Sequence, residues 1–584
     1  MCLLEILSKE SGANMNALQF KEVRLCGQTG KLLDNIIDHW LVGLRESNPA
    51  ILGVFADRDL KPYRKLEPWH GEFPGKYLTG AYYTYKLTGS KKLYDYILPF
   101  IDELISYQDE DGYLGCFSKE GHLTGYFNPS LPGGTWDSWN HYHIMFGLLL
   151  WYDVTKNETY LQAVERIAAL FMEKFYYGKP GIISIGSSEM NLAAYHIFGI
   201  LYRRTGNEFY LDFAKQIETD LSDETAGNYL YYAENNLEFY ECPKPRWESI
   251  HIILGFVEMY RNTAEKKYLD AAKQIFYSIL KTDVHNTGAF STDEQAVGNP
   301  YQNGAIETCC VIAYNALAIE LYLLTGDTKI VDFLERSHYN AVLGYNSPSG
   351  KWSTYDTPMD GTRCANYHSI NFQSRPGSPN LNCCSVNAPR GVANLSEWMM
   401  TEKDDTIYLN FYEDMKVVTE DDVLIEIEGN YPASNKVKIR INSNGKEKNI
   451  AFRVPGWSKQ TSLKIGEEIL RLEKGGYCAC CKRWNDTIEV TFDFAPYIEE
   501  GDLDCAGKSS IFVGPVLYGL DLHDNPSVDF EQLPVLSKQE LMGLSPVMKN
   551  DGSIKIAFSN GIVLKDFYHL GETGSQYKTW LKIK

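Results

Sequence analysis

The chain has 584 residues, 44% of them hydrophobic, 23% charged and 13% aromatic, with a formal net charge of −20 at neutral pH. That length exceeds what one small core can use and predicts two to four domains. The acidic balance argues against long-range steering toward nucleic acid or an anionic membrane, and no run of eighteen apolar residues offers a membrane span.

The chain opens on Met1-Cys2-Leu3-Leu4-Glu5, where a charge interrupts a brief apolar run and no basic segment precedes it. It reads poorly as a secretory signal. A strand-like stretch begins at Asn16-Ala17-Leu18-Gln19-Phe20, and residues 1–25 are expected to add a strand to the C-terminal sandwich. Thirteen cysteines without a secretory signal point to free or metal-bound thiols in a reducing compartment, hence the cytoplasm.

From 26 to 400 one helical phrase repeats: an amphipathic helix ends in an aromatic and a short polar turn, and a second helix follows. Its copies end at Tyr85-Lys86-Leu87-Thr88-Gly89, Trp151-Tyr152-Asp153-Val154-Thr155, Tyr202-Arg203-Arg204-Thr205-Gly206, Tyr260-Arg261-Asn262-Thr263 and Tyr322-Leu323-Leu324-Thr325-Gly326. Gly89, Gly206 and Gly326 stand where a helix C-terminus favours a left-handed residue. Each hairpin has one apolar face to bury, so the set must stack as a solenoid or close on itself. Long irregular insertions at 108–140 and 284–308 fit loops on the rim of a closed (α/α)6 barrel. Gln108-Asp109-Glu110-Asp111-Gly112 resembles a calcium loop superficially but lacks the EF-hand spacing and reads as a turn.

From 401 the pattern changes to period-two alternation, as in Lys436-Val437-Lys438-Ile439-Arg440-Ile441 and Thr487-Ile488-Glu489-Val490-Thr491-Phe492. This predicts one or two β-sandwich domains, over 401–522 and 523–584.

The chemistry-bearing residues are two cysteine pairs, Cys309-Cys310 and Cys383-Cys384. Thiolates suit zinc, and Glu307 adds a carboxylate two residues before Cys309. Glu307, Cys309, Cys383 and Cys384 would complete a tetrahedral Zn²⁺ site, whereas the plainer reading is four buried thiols acting as small hydrophobes. Cys310 is expected to face the core. A second group, Cys478, Cys480 and Cys481, has no assigned role. Trp136, Trp139 and the aromatic run Trp69–Tyr77 are candidates for lining a sugar site or for packing.

The run Gly304-Ala305-Ile306-Glu307-Thr308-Cys309, followed by Cys383-Cys384-Ser385-Val386-Asn387-Ala388-Pro389-Arg390, resembles the signature region of glycoside hydrolase family 127. That family includes retaining β-L-arabinofuranosidases. Phe452-Arg453-Val454-Pro455-Gly456-Trp457 and Gly514-Pro515-Val516-Leu517-Tyr518-Gly519 are also similar to it. The resemblance implies a zinc-bound cysteine nucleophile at Cys383 and a general acid/base at Glu294, with Asp293 as the fallback. It also implies substrate-binding histidines at His143 and His251. The chain departs from the family at Asn191, where a histidine is usual, and at Ser385, where proline is usual. The implied activity is retaining exo-hydrolysis of a terminal β-L-arabinofuranoside, or a related small furanoside, in a small oligosaccharide. No nucleic-acid or membrane partner is expected, and a homodimer is compatible with the sequence. Two rival readings stay open: another (α/α)6 sugar enzyme, such as an epimerase or unsaturated uronyl hydrolase, and a carbohydrate-binding protein with structural zinc.

Overall fold

A computed structural model describes residues 4–7, 14–64, 66–125, 135–176, 178–363 and 381–584. Most of the opening decapeptide, and residues 126–134 of the first rim insertion, lie outside that description.

Twelve helices make the barrel, alternating between an outer and an inner ring. The outer ring consists of α1 (Gln28–Ile36), α3 (Lys91–Ser106), α5 (Glu158–Phe175), α7 (Glu208–Leu221), α9 (Lys266–Thr282) and α11 (Thr328–Ser337). The inner ring consists of α2 (Phe73–Thr88), α4 (Asp137–Thr155), α6 (Ala194–Thr205), α8 (Ile250–Thr263), α10 (Thr308–Thr325) and α12 (Cys383–Ala393). Each inner helix packs on the next, and α12 returns to α2, so the ring closes. A solenoid would leave its first and last repeats apart.

Outer helices bury one face; α9, for example, buries Tyr268, Ala271, Ala272, Ile275 and Ile279 at helical spacing. Inner helices are enclosed on all sides, and α10 is accordingly apolar almost throughout, a core helix despite being long and apolar enough to cross a membrane. Gly89, Gly206 and Gly326 take the left-handed C-cap conformation, with φ of 62°, 68° and 68°. In the two repeats without glycine, Lys156 and Ala264 take it instead, with φ of 53° and 60°. Gly75 is required by close packing: a Cβ there would lie 2.2 Å from the His143 carbonyl carbon, so only glycine lets α2 and α4 meet at this level.

Two β units follow. In the first, the long strands β8 (Lys436–Arg453) and β9 (Tyr477–Thr491) pair along their length. The first half of β8 pairs with β7 (Leu424–Glu428) and the second with β5 (Thr406–Leu409), so the strand passes from one layer to the other. The N-terminal strands join this unit and not the C-terminal one: β1 (Leu4–Leu7) pairs β9, β2 (Asn16–Ala17) pairs β4 (Met400–Lys403), and β3 (Phe20–Leu25) pairs β6 (Met415–Thr419). Pairing with β3 covers an otherwise open edge of β6. The second unit also begins earlier than residue 523. Strands β10 (Tyr497–Glu500), β11 (Ser509–Val513) and β12 (Val516–Asp521) pair in sequence, and β12 then pairs with β13 (Val563–Asp566). Among the other cysteines, Cys480 is disulfide-bonded, contrary to the expectation of free or metal-bound thiols, while Cys478 is a free thiol.

Candidate active site and metal centre

The two cysteine pairs meet at the N-terminal end of the inner ring. Cys309 lies in the first turn of α10, whose N-cap is Glu307, and Cys383 and Cys384 open α12. Asn382 caps α12: its side chain accepts the Ser385 amide at 2.8 Å, while Ser385 Oγ accepts the Asn382 amide at 2.9 Å. The departure from proline at Ser385 thus supplies the second half of a capping box.

One ligand atom from each of Glu307, Cys309, Cys383 and Cys384 lies within 4.8 Å of all the others, and all four residues are buried. Glu307 Oε1 stands 3.2 Å from Cys384 Sγ and 3.5 Å from Cys383 Sγ. The two vicinal sulfurs are 3.7 Å apart. Cys309 Sγ receives Asn387 Nδ2 at 3.4 Å and Lys76 Nζ at 3.7 Å. Cys310 is buried as expected, but its sulfur lies 3.7 Å from Glu307 Oε2.

The donor set fits a soft divalent cation. Burial alone would push the Cys309 thiol up, but hydrogen bonds from Cys383 and Cys384 and the charge of Lys76 hold it well below the ordinary thiol range. Cys383 is pushed well above that range, first by its hydrogen bond to Cys309, and Cys384 likewise, first by burial. Burial and the neighbouring Cys309 also raise Glu307. Without a cation Glu307, Cys383 and Cys384 retain their protons around the Cys309 thiolate, because further charges would repel in a dry site; three thiolates with a carboxylate match zinc.

Glu294 faces this cluster through Tyr355, whose hydroxyl donates to Glu294 Oε1 at 2.7 Å. Arg246 pairs with the other oxygen and, at 2.7 Å, with the buried Glu248. The loop is locally strained: Ser291, Asp293 and Glu294 have φ of 83°, 49° and 67°. Asp293 is exposed, and its carboxylate accepts the Ala305 amide at 3.0 Å within the loop.

His143 stands in the second turn of α4, which starts earlier than the sequence suggests, and His251 in the first turn of α8, their ring centroids 5.5 Å apart. Burial holds both well below the ordinary histidine range, so both are neutral imidazoles. His143 Nε2 is buried and makes no hydrogen bond among the described residues. Trp139 stacks edge-on against both rings, at 4.5 and 4.8 Å, and is itself fully buried, so it packs the site and offers no platform. Trp136 is half-buried beside Trp69. Asn191 is saturated: its amide donates to the Thr135 and Gly186 carbonyls at 2.6 and 2.8 Å, and its oxygen accepts the Trp139 amide.

Sequence reasoning missed Tyr355, the Arg246–Glu248 pair and the Glu72–Lys76 pair. Lys76 and Glu72 form an ion pair at 2.9 Å with both side chains buried, and Trp139 Nε1 also donates to Glu72. A lysine four residues after a glutamate at the start of an inner helix was the available signal. Burial raises the Glu72 carboxyl to about 7 even beside Lys76, so Lys76→Met leaves Glu72 protonated at neutral pH with a buried partner lost, and is expected to lower stability by about 1–3 kcal/mol in urea unfolding; unchanged stability would contradict this role.

Comparison with known proteins places these features in context. The β-L-arabinofuranosidase GH127 catalytic-domain family matches residues 33–397, and the GH127 middle-domain family matches residues 406–495. No curated protein matches the chain. Among solved structures, a GH127 β-arabinofuranosidase is similar at TM-score 0.79 and 20% identity, over 98% of each chain. A GH127 β-L-arabinofuranosidase from Geobacillus stearothermophilus T6 is similar at TM-score 0.75 and 16% identity, over 97% of this chain and 100% of that one. At these identities the likeness speaks for the fold.

Proposed function

The chain belongs to glycoside hydrolase family 127, and from that premise we propose that it is a retaining exo-glycosidase that releases a terminal β-L-arabinofuranose, or a similar small furanose, from a small oligosaccharide. Cys383 is the nucleophile and Glu294 the general acid/base. The observation that carries this reading is the meeting of a buried Cys/Glu donor set with a carboxylate held by Tyr355 and Arg246 at one end of the barrel.

Zinc held by Glu307, Cys309, Cys383 and Cys384 would supply the positive charge that keeps the thiols ionised. In the first step Cys383 Sγ attacks the anomeric carbon, the C–S bond forms, and the glycosidic C–O bond breaks as Glu294 gives its proton to the departing oxygen. In the second, Glu294 takes a proton from water, whose oxygen attacks the same carbon and expels Cys383. Two displacements at one carbon retain its configuration. Neutral His143 and His251 are suited to hydrogen bonds with sugar hydroxyls. Asn191, with its amide already engaged, contributes none.

Glu294→Gln is expected to lower kcat/KM, which reports the first step, by about 10²–10⁴ on an alkyl arabinofuranoside and by much less on the p-nitrophenyl glycoside, whose leaving group needs little protonation. Equal losses on both substrates would contradict the acid role. Turnover of p-nitrophenyl β-L-arabinofuranoside by the zinc-loaded protein tests the substrate class, and its absence would contradict the arabinofuranoside reading.

A further inference from the structure

The inner helices line a half-open polar cavity at their C-terminal ends, opposite the cysteine cluster. It has a volume of about 130 Å³ and is lined by residues of all six, among them Tyr83, Phe146, His196, Glu258, Glu320 and Arg390. Ligand pockets for larger molecules run to roughly 300–1,000 Å³, so this one is too small for a sugar. At about 30 Å³ per water, it has room for a few waters or one small ion.

Arg390 dominates its electrostatics. The residue is only 4% exposed. Its guanidinium carbon lies 6.0 Å from the Tyr83 ring centroid and 5.6 Å from that of Phe146, which occupies its faces. Its Nε is buried without a hydrogen-bond partner, and Arg390 makes no ion pair among the described residues. The neighbouring charges are already matched. Glu258 binds Arg203 and Arg261 at 2.7 and 2.8 Å, Glu320 binds Arg261, Asp153 binds Arg204, and Glu397 binds Lys86 at 2.7 Å. Four carboxylates therefore face five cations, and Arg390 is the one left over.

A buried guanidinium without a counter-ion is costly, and its planar fork matches a tetrahedral oxyanion. Two further groups could complete the coordination. His196 uses Nδ1 with the Tyr142 hydroxyl at 2.9 Å, leaving Nε2. Asn394, four residues after Arg390 on the same face, lines the cavity and can donate through its Nδ2. We propose that this cavity binds a small inorganic oxyanion of the phosphate or sulfate type through Arg390. Arg390 lies seven residues along α12 from Cys383, so the ion would fasten the far end of the helix that carries the cysteine pair.

The test is thermal unfolding of the full-length protein in phosphate against sodium chloride at equal ionic strength. Wild type is expected to gain a few degrees in Tm from phosphate, because a ligand that binds only the folded state stabilises it. Arg390→Met should lose that gain. Asn394→Asp, which supplies an internal carboxylate to Arg390, should also lose it and should melt higher than wild type without phosphate. If Arg390→Met does not fold, Asn394→Asp decides. No phosphate-specific gain in wild type, or an undiminished gain in either folded variant, would overturn the proposal.

Discussion

Cys383→Ala is expected to lose hydrolysis of p-nitrophenyl β-L-arabinofuranoside by about 10⁴-fold or more, the scale on which removal of a covalent nucleophile acts. The side chain is small and buried in the first turn of α12, and the Asn382–Ser385 capping box that sets this turn does not use the sulfur. The variant should therefore keep its circular dichroism spectrum. Cys310→Ala is the internal control, since its sulfur touches Glu307 but is not one of the four clustered donors. Loss of activity in both variants alike would point to disruption of the site and against a nucleophile at Cys383.

Removal of bound metal with a chelator is expected to abolish activity and lower Tm together, with stoichiometric zinc restoring both. If free zinc normally stands at about 1,000 times its Kd, the stabilisation lost is about 4 kcal/mol. The physical cause is local: four acidic groups within 4.8 Å cannot all ionise without a cation, so stripping the metal forces protons onto Glu307, Cys383 and Cys384 and loosens the starts of α10 and α12. A protein shown to be metal-free that keeps its activity and Tm would contradict the metal centre.

Much of the fold is legible in the sequence because it is written locally. The aromatic-Thr-Gly phrases at Gly89, Gly206 and Gly326 mark helix ends by a conformation that glycine favours, and the β region announces itself by alternation. Closure of the ring and the pairing of β3 with β6 depend on contacts between distant segments, which short-range patterns do not encode, so a local reading sends the N-terminal strands to the wrong unit. It misplaces the β boundary for the same reason, since the strands at 497–521 belong to the second unit by their pairing with the distant strand at 563–566 and not by any local signal. In the site, the paired cysteines stand out by their rarity. Tyr355, Arg246 and Lys76 do not, because each is an ordinary residue until the fold sets it beside Glu294 or Cys309.

The central claim is that Cys383 carries the sugar between the two steps. The most direct measurement is peptide mass spectrometry of Glu294→Gln after brief exposure to p-nitrophenyl β-L-arabinofuranoside, where the second step is slowed more than the first. The account predicts one pentosyl adduct, on the peptide containing Cys383 and absent from Cys383→Ala. An adduct on a carboxylate, or turnover with inversion of the anomeric centre, would contradict it.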